Sequence, residues 1–468
     1  MTERSPLPKA FSSSLNKIFS PEQILTEPSE CWPYGYDNSR RHTAPQAVIF
    51  PLNHEQVVSV IQLCNQYQIA LTARGRGTGT TGASVPLNAG VVLSTEKMNQ
   101  IIKLDPANRY IVVEPGVTNQ HVQDAAKQHG FFWAPDPTSA AYCSVGGNLA
   151  YNSAGPRAVK YGTPRDNVFG LHAVTGMGES IRTGVFTTKG VVGYDLTRLL
   201  IGSEGTLAII TQATLKLTPL PEGKRTLQAT YQDIESAAKA VSSLMAQPIT
   251  PCALEFIDGQ AIKMINDYSE ANLPDNAGAL LMIEVDGQNY TLDTSVDAIK
   301  QAADNSGLID IQVAQTDAEV AALWATRKAL SPALRKIAPK KINEDVVVPV
   351  SNIPALIRGL ERLSKKYQIT IVNFGHAGNG NIHVNLLLDP DDPTQMENAQ
   401  YCLDEVFALV LHLDGTLSGE HGVGIEKRDF IDREIDPITL DIMRRIKSQF
   451  DPNGILNPNK IFPEPPIS

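Results

Sequence analysis

The stretch Ile369–Leu388, ITIVNFGHAGNGNIHVNLLL, holds two histidines with six residues between them in a frame suited to β-structure. Two β-rich runs flank Asn379-Gly380, and Asn-Gly is the strongest two-residue hairpin signal. With those two residues as the loop, Ala377 faces Ile382 and His376 faces His383. Directly opposed residues have Cβ atoms about 4.5–5.5 Å apart on one face. Two imidazoles so placed can share one divalent ion at roughly 2.0–2.1 Å per bond. Asn385, two residues beyond His383, projects from the same face. A second segment, Ser418–Gly424 (SGEHGVG), sets a carboxylate and an imidazole side by side, Glu420 and His421, in a glycine-bounded loop. Two imidazoles and one carboxylate leave coordination positions open for a substrate, as catalytic sites require. A lone histidine is usually a packed or surface residue; this combination outweighs that reading.

A different chemistry is written into the glycine-rich loops. Gly77, Gly79 and Gly82 spell GxGxxG after the apolar run Ile69–Ala73. The dinucleotide fingerprint needs a helix directly afterwards to receive the pyrophosphate. Here Ala83–Gly90 (ASVPLNAG) and another strand follow instead, so an NAD site is disfavoured. The loop Arg74–Gly82 still suits an anion, because successive glycines let backbone N–H groups converge and threonine hydroxyls add donors. Small residues recur in Val145–Asn148, Asn152–Gly155 and Ile201–Ile210 (IGSEGTLAII), where backbone could approach a flat ring or diphosphate closely.

A chain of 468 residues exceeds what one core supports, so two or more domains must position these loops. From Pro45 to about Leu217 short β-branched strands alternate with glycine turns: strands at Ala47–Phe50, Ile69–Ala73, Val91–Ser94 and Ile111–Val113, and an amphipathic helix over His54–Tyr67. Thr218–Gly223 (TPLPEG) reads as a linker. Beyond it, Gln228–Tyr231, Ile234–Met245, Ala279–Val285 and Leu292–Ser306 alternate strand and helix, a second α+β layer. Leu440–Phe462 is a basic helix, ending at Asp451-Pro452, and an Asn/Pro-rich tail. Near the N-terminus Arg4, Lys9 and Lys17 accompany serines without an apolar core, which gives at most a weak targeting signal, and Phe11, Leu15, Ile18 and Phe19 fit a docking helix equally well.

Forty basic against fifty acidic residues give a net charge of −10, which argues against a nucleic-acid binder that works by neutralising phosphates. The apolar runs Ala279–Ile283 and Val406–Leu411 fall well short of the roughly 20 residues a membrane span needs. Five scattered cysteines, Cys31, Cys64, Cys143, Cys252 and Cys402, never form a CxxC pair. They point to a reduced, cytoplasmic protein.

The three glycine-rich segments, in this order and spacing, resemble the FAD domain of the vanillyl-alcohol oxidase/p-cresol methylhydroxylase (PCMH) superfamily. HAGNGNIH, SGEHGVG, Trp324–Leu334 (WATRKALSPAL) and Phe450–Lys460 (FDPNGILNPNK) narrow the resemblance to its flavin- and metal-dependent D-2-hydroxy-acid dehydrogenase branch, from about residue 20 to 463. Asn379 stands where that branch usually has Asp, Asn459 where it has Gly, and Arg76 departs from a common glycine. The resemblance implies an α+β fold: a PCMH-type FAD domain of two subdomains over residues 1–218, a substrate (cap) domain with an antiparallel sheet over 219–420, and a segment 421–468 returning to the FAD domain. It implies FAD held by Gly75, Gly77, Thr78, Gly79, Thr80, Thr81 and Gly82, by Pro135, Thr138, Cys143, Gly146, Gly147, Asn152, Ser153 and Gly155, and by Glu204, Gly205, Ile209 and Asn457. The first loop has no histidine and Cys143 is the only thiol nearby, so the flavin is expected to be non-covalent.

The same resemblance makes His376, His383 and Glu420 ligands of one divalent ion, zinc or manganese, and His421 the base. Arg327 would grip the substrate carboxylate, with Lys341 and Asn385 as further contacts to substrate oxygens. The implied reaction oxidises a D-2-hydroxy acid to the 2-oxo acid. D-Lactate is favoured because the SPAL and EDVVVP (Glu344–Pro349) segments look like the lactate/glycolate type; glycolate and D-2-hydroxyglutarate are the alternatives. A non-catalytic flavin-binding subunit of an oxidase complex is the rival from another class, and would be expected to lack the metal set. A redox partner must accept the electrons. A homodimer, and membrane attachment through that acceptor, stay open.

Overall fold

The computed structural model describes residues 6–268, 273–274 and 276–463. Arg4 and the last five residues of the expected C-terminal segment lie outside them. So do the side chains of Thr326, Lys328, Ala329, Ser331, Pro332 and Ala333 in the WATRKALSPAL piece. The chain forms two compact units: Met1–Ala154, Gly162–Leu220 and Glu420–Ser468 make the first, Gly155–Tyr161 and Pro221–Gly419 the second.

The first unit contains, in chain order, β1 (Ile24–Leu25), β2 (Ala47–Ile49), β3 (Leu71–Arg74), β4 (Val91–Ser94), β5 (Ile101–Asp105), β6 (Tyr110–Val113), β7 (Phe131–Phe132), β8 (Val168–Thr175), β9 (Ser180–Gly184), β10 (Ala208–Lys216) and β11 (Thr218–Pro219). The strands β2, β4 and β3 run parallel with β1 antiparallel at the edge. Their residues are almost continuously buried, as expected for parallel strands covered on both faces. Helix His54–Tyr67 begins where Asn53 accepts the Gln56 N–H. It lays Val57, Val60, Ile61 and Cys64 at helical spacing into a core shared with Phe11 and Leu15 of helix Lys9–Ile18.

The other sheet of this unit is antiparallel, ordered β5-β6-β10-β8-β9, over a core that includes Ile111, Val113, Trp133, Val145 and Leu215. The expected linker is shorter than its composition suggests: Thr218–Pro219 pairs with Phe131–Phe132, leaving Leu220–Glu222 between units. The C-terminal segment binds alongside β3, where the Leu71 N–H donates to Ile455 O and the Asn457 N–H to Leu71 O, each 2.8 Å. All five cysteines are buried and free.

The second unit is built on one antiparallel sheet of seven strands: β12 (Gly223–Tyr231), β13 (Ala253–Asp258), β14 (Ala279–Gly287), β15 (Leu308–Val313), β16 (Lys340–Val347), β17 (Thr370–His376) and β18 (Asn381–Leu388). Their order is β15-β12-β14-β13-β17-β18-β16, which puts β13 at the centre. Alternation separates the faces. Ile382, Val384 and Leu386 point one way; Asn381, His383 and Asn385 point the other. On that second face Ile257, Leu280, Met282, Phe374 and Leu387 pack with Leu330 and Leu334 of helix Asp317–Ile337. This face holds both histidines of the hairpin. No described helix is long and apolar enough to cross a membrane.

Candidate functional site

The histidine hairpin forms, with a different register from the one a two-residue loop would give. His376 lies opposite Asn381, and His383 lies opposite Phe374. The reason is the loop. Ala377–Asn379 coil into a 3₁₀ turn, the Gly380 N–H donates to Ala377 O at 3.0 Å, and Gly380 takes φ +72°. A side chain at Gly380 would meet Val348 O at 1.9 Å, so only glycine fits this tip. The correction moves each partner by two residues, which preserves the face. His376 and His383 are therefore diagonal neighbours, their ring centroids 5.2 Å apart and nearly perpendicular at 83°.

Both imidazoles are buried, and His376 is braced from a neighbouring strand. Glu255 on β13 stands in register with His376, and its Oε1 is bonded to His376 Nδ1. Its other oxygen accepts from Arg327 Nε at 3.1 Å. Burial pushes the Glu255 carboxyl up, but the imidazole and guanidinium outweigh it and hold it below its ordinary value. Arg327 reaches this place because helix Asp317–Ile337, opened by a Thr316/Glu319 capping box, turns Leu323, Trp324, Leu330 and Leu334 toward the sheet along the same stripe. The guanidinium sits 4.6 Å above the Phe374 ring, and Phe374 is the residue opposite His383. Lys341, opposite Leu387 on β16, shares the histidine face. Asn385 is fully buried and its amide is spent on protein groups: it donates to Val372 O and His383 O and accepts from Asn343 at 2.7 Å. It braces the hairpin.

On the far side of β18, Asp345 pairs with His383. Its carboxylate accepts from Ser418 Oγ at 3.1 Å and from the Gly419 N–H at 3.0 Å, and Gly419 also donates to Asp345 O at 2.8 Å. Gly419 is thus fixed beside the strand residue that faces His383. The donor chemistry of the two imidazoles suits a divalent ion. An Nδ1–H given to Glu255 leaves the Nε2 lone pair of His376 for a metal, and neutral imidazoles with a carboxylate suit zinc or manganese.

In the first unit the loop after β3 runs without a helix from residue 75 to 90, as its composition predicts. Among the described residues no backbone N–H from Arg76 to Gly82 donates to another protein backbone group, and Thr80 Oγ1 is buried without a hydrogen-bond partner. Unspent donors in a tight loop fit a phosphate-bearing cofactor. The Arg74 guanidinium lies 2.2 Å from where a Gly77 Cβ would sit, at φ +66°, which fixes glycine there. Gly146 and Gly147 open the helix Val145–Tyr151, capped by Ser144 accepting from the Gly147 N–H. Asn152 ends that helix at φ +58°, and Ser153 Oγ donates to Glu420 O at 3.4 Å. Thr138 is exposed near buried Pro135, while Gly155 belongs to the second unit.

Four other expected cofactor residues have protein partners or core positions. Cys143 is buried with its sulfur 3.5 Å from Asn148 Oδ1, and burial pushes its thiol up. Ile209 is a core side chain opposite Val174 on β8, and Gly205 lies in the turn before β10. Glu204 accepts the Val423 N–H at 2.7 Å and the Gly424 N–H at 2.8 Å, and burial raises its carboxyl to about 7. Asn457 donates to Ala83 O and Glu204 O at 2.9 and 2.7 Å. The loop after Glu420 is thereby tied to the glycine loops: Thr81 Oγ1 donates to His421 O at 3.2 Å, and Thr81 O accepts the Ile425 N–H at 2.8 Å. Glu255 and Asp345 were not picked out by motif spacing. For Glu255 the available signal was an acidic residue inside the mostly apolar strand Ala253–Asp258 (ALEFID); Asp345 sits in the polar run Lys340–Val347 (KKINEDVV), which offered none.

Known proteins agree with this architecture. Residues 220–461 match the family described as FAD linked oxidases, C-terminal domain, and residues 45–184 match an FAD binding domain. The chain is 38% identical over 455 residues to the glycolate oxidase subunit GlcD of Bacillus subtilis (strain 168), covering 97% of each. It is 35% identical over 428 residues to a D-lactate dehydrogenase of Anaerostipes hadrus, covering 89% of each. Against a D-2-hydroxyglutarate dehydrogenase of Stutzerimonas stutzeri (strain A1501) it is 30% identical over 463 residues, 97% of this chain and 99% of that one. Among solved structures, p-cresol methylhydroxylase superposes with a TM-score of 0.78 at 19% identity, covering 96% of this chain and 95% of that one. The α+β fold with its PCMH-type FAD domain is therefore established, and the chain belongs to the FAD-linked oxidases, as an FAD-dependent oxidoreductase.

Proposed function

We propose that the protein oxidises a small D-2-hydroxy acid to the 2-oxo acid, with D-lactate the favoured substrate and glycolate the second, using FAD and one divalent ion. The pairing of His376 with His383 on one sheet face, beside an arginine, carries this reading. His376, His383 and Glu420 hold the ion. Residues 1–218 with 421–468 hold the flavin, and 219–420 present the hairpin. The FAD contacts are those of the glycine loops, with Glu204 and Asn457 beside them. Glycolate stands second because relatives aligned over nearly their whole length carry that name. The word subunit in those names supports a redox partner that reoxidises the flavin.

When bound, FAD supplies the two-electron acceptor and the ion a Lewis acid for the substrate hydroxyl. Arg327, its Nε engaged by Glu255, offers its two terminal nitrogens to the substrate carboxylate, a geometry that suits the guanidinium fork. Lys341 adds a second positive charge from the same face. His421 takes the hydroxyl proton on an imidazole nitrogen as the Cα hydride leaves. Anaerobic titration of the yellow protein with D-lactate, L-lactate, glycolate and D-2-hydroxyglutarate tests the proposal. Flavin bleaching by D-lactate, and not by its L-enantiomer, is expected. Absence of bleaching by every acid would sink it and revive the flavin-binding subunit.

A further inference from the structure

Glu255 occupies the central strand of the seven-stranded sheet, 1% exposed, in a strand that is otherwise nearly all apolar. A carboxylate there is costly to desolvate, and a well-packed Met or Leu would often serve stability as well or better. Both of its oxygens are spent. Oε1 takes His376 Nδ1, directly opposite on β17, and Oε2 takes Arg327 Nε at 3.1 Å from the covering helix. Each bond has a separate consequence. The first fixes the imidazole tautomer, so that Nε2 carries the free lone pair. The second, with Phe374 4.6 Å beneath the guanidinium, fixes the plane of Arg327 and leaves only its terminal nitrogens to face outward.

The geometry points to Glu255 as a positioning residue that holds the metal-binding imidazole and the carboxylate-binding arginine in their working orientations through one carboxylate. This rests on the reading of His376 and Arg327 given above. Replacing the carboxylate by an amide cannot satisfy both donors, because one of the two would then meet an NH₂ group. Metal binding and anion binding should therefore weaken together, although Glu255 touches neither ligand.

The test uses flavin-loaded full-length protein stripped of metal. Zinc and, separately, manganese are titrated by calorimetry, and pyruvate binding to the metal-free protein is followed by perturbation of the flavin spectrum. Glu255→Gln should bind metal roughly 10–100-fold more weakly and pyruvate at least threefold more weakly. Glu284→Gln is the control, since Glu284 is another buried carboxylate of this sheet, held by Lys224, Thr226 and Trp324. It should lower Tm yet leave both affinities unchanged. If Glu255→Gln fails to fold, Glu255→Asp carries the test, because the shorter carboxylate keeps its charge but cannot span both partners. A folded Glu255 variant with parental metal and pyruvate affinity, or one that loses only Tm, would overturn the assignment. A parent protein that binds no metal would overturn the functional reading first, and this inference with it.

Discussion

His376 and His383 occupy diagonal positions on one face of the β17–β18 hairpin, 5.2 Å apart between ring centroids, with Asn381 and Phe374 as their respective cross-strand partners. Each ring is therefore held by its own strand environment and neither depends on the other for its place. Single replacements should remove a ligand without collapsing the hairpin. His376→Ala and His383→Ala are expected to lower metal affinity at least 100-fold while the flavin absorbance band is retained. Metal analysis of the purified variants beside their visible spectra decides this; a variant with a full metal complement would remove that histidine from the ligand set.

Glu420 and His421 are adjacent and should fail differently. Glu420→Ala should lose metal and activity together. His421→Ala should keep both metal and FAD, and reduce flavin about 10²–10⁴-fold more slowly, the usual weight of a general base. Stopped-flow reduction by D-lactate supplies the number. Loss of metal from His421→Ala would reassign it as a ligand.

The flavin should come off. The first glycine loop has no attachment residue, and Cys143 is buried with its thiol pushed up, so a nucleophilic thiolate is disfavoured. Acid precipitation should leave FAD in the supernatant and a colourless pellet; a yellow pellet would contradict it.

Glu204 gives the first unit a pH dependence with a definite sign. Its carboxyl is raised from 4.5 to about 7 by burial, with the Val423 and Gly424 N–H groups opposing. Between those values the folded chain holds a proton that the unfolded chain has released. The contribution of Glu204 to stability is therefore full below about 4.5 and falls as pH rises toward 7, by about 3 kcal/mol at most. Glu204→Gln mimics the protonated form, so its stability relative to the parent should improve from pH 5 to pH 8. Denaturant melts at the two pH values measure the difference; an unchanged or opposite trend would place the ionisation elsewhere.

Gly380→Ala should be among the most damaging small changes in the second unit. The left-handed conformation alone costs roughly 1–3 kcal/mol for a residue with a Cβ, and the contact with Val348 O adds to it. A thermal melt showing less than about 1 kcal/mol lost would mean that the tip can rearrange.

Much of this was legible in the chain, for identifiable reasons. Helix His54–Tyr67 begins and ends where its apolar spacing and the Asn53 cap say it should. The hairpin and the face of its histidines were legible too, because Asn-Gly and period-two alternation are local signals. The register was not. Asn-Gly suits a two-residue loop and the end of a 3₁₀ turn alike, and the packing of Val348 against the tip is a contact between residues distant in sequence. Glu255 was hidden for the same reason: its partners are 72 and 121 residues away, and nothing near it in sequence marks it as more than a polar residue in a strand. The amide of Asn457 donates to Ala83 O and Glu204 O, partners far from it in sequence that no local pattern announces.

The discontinuity of the first unit bears on the order in which the protein can be made. Its β3 strand is completed by hydrogen bonds to residues 455 and 457, which leave the ribosome long after it. Nearly all of the second unit, from Pro221 to Gly419, is synthesised in one run and can close before them. During synthesis the outer edge of β3 must wait, with the Leu71 N–H and carbonyl without these partners, until residues 455–457 arrive. C-terminal truncation should therefore damage the fold built by the N-terminal residues first and leave the inserted sheet standing.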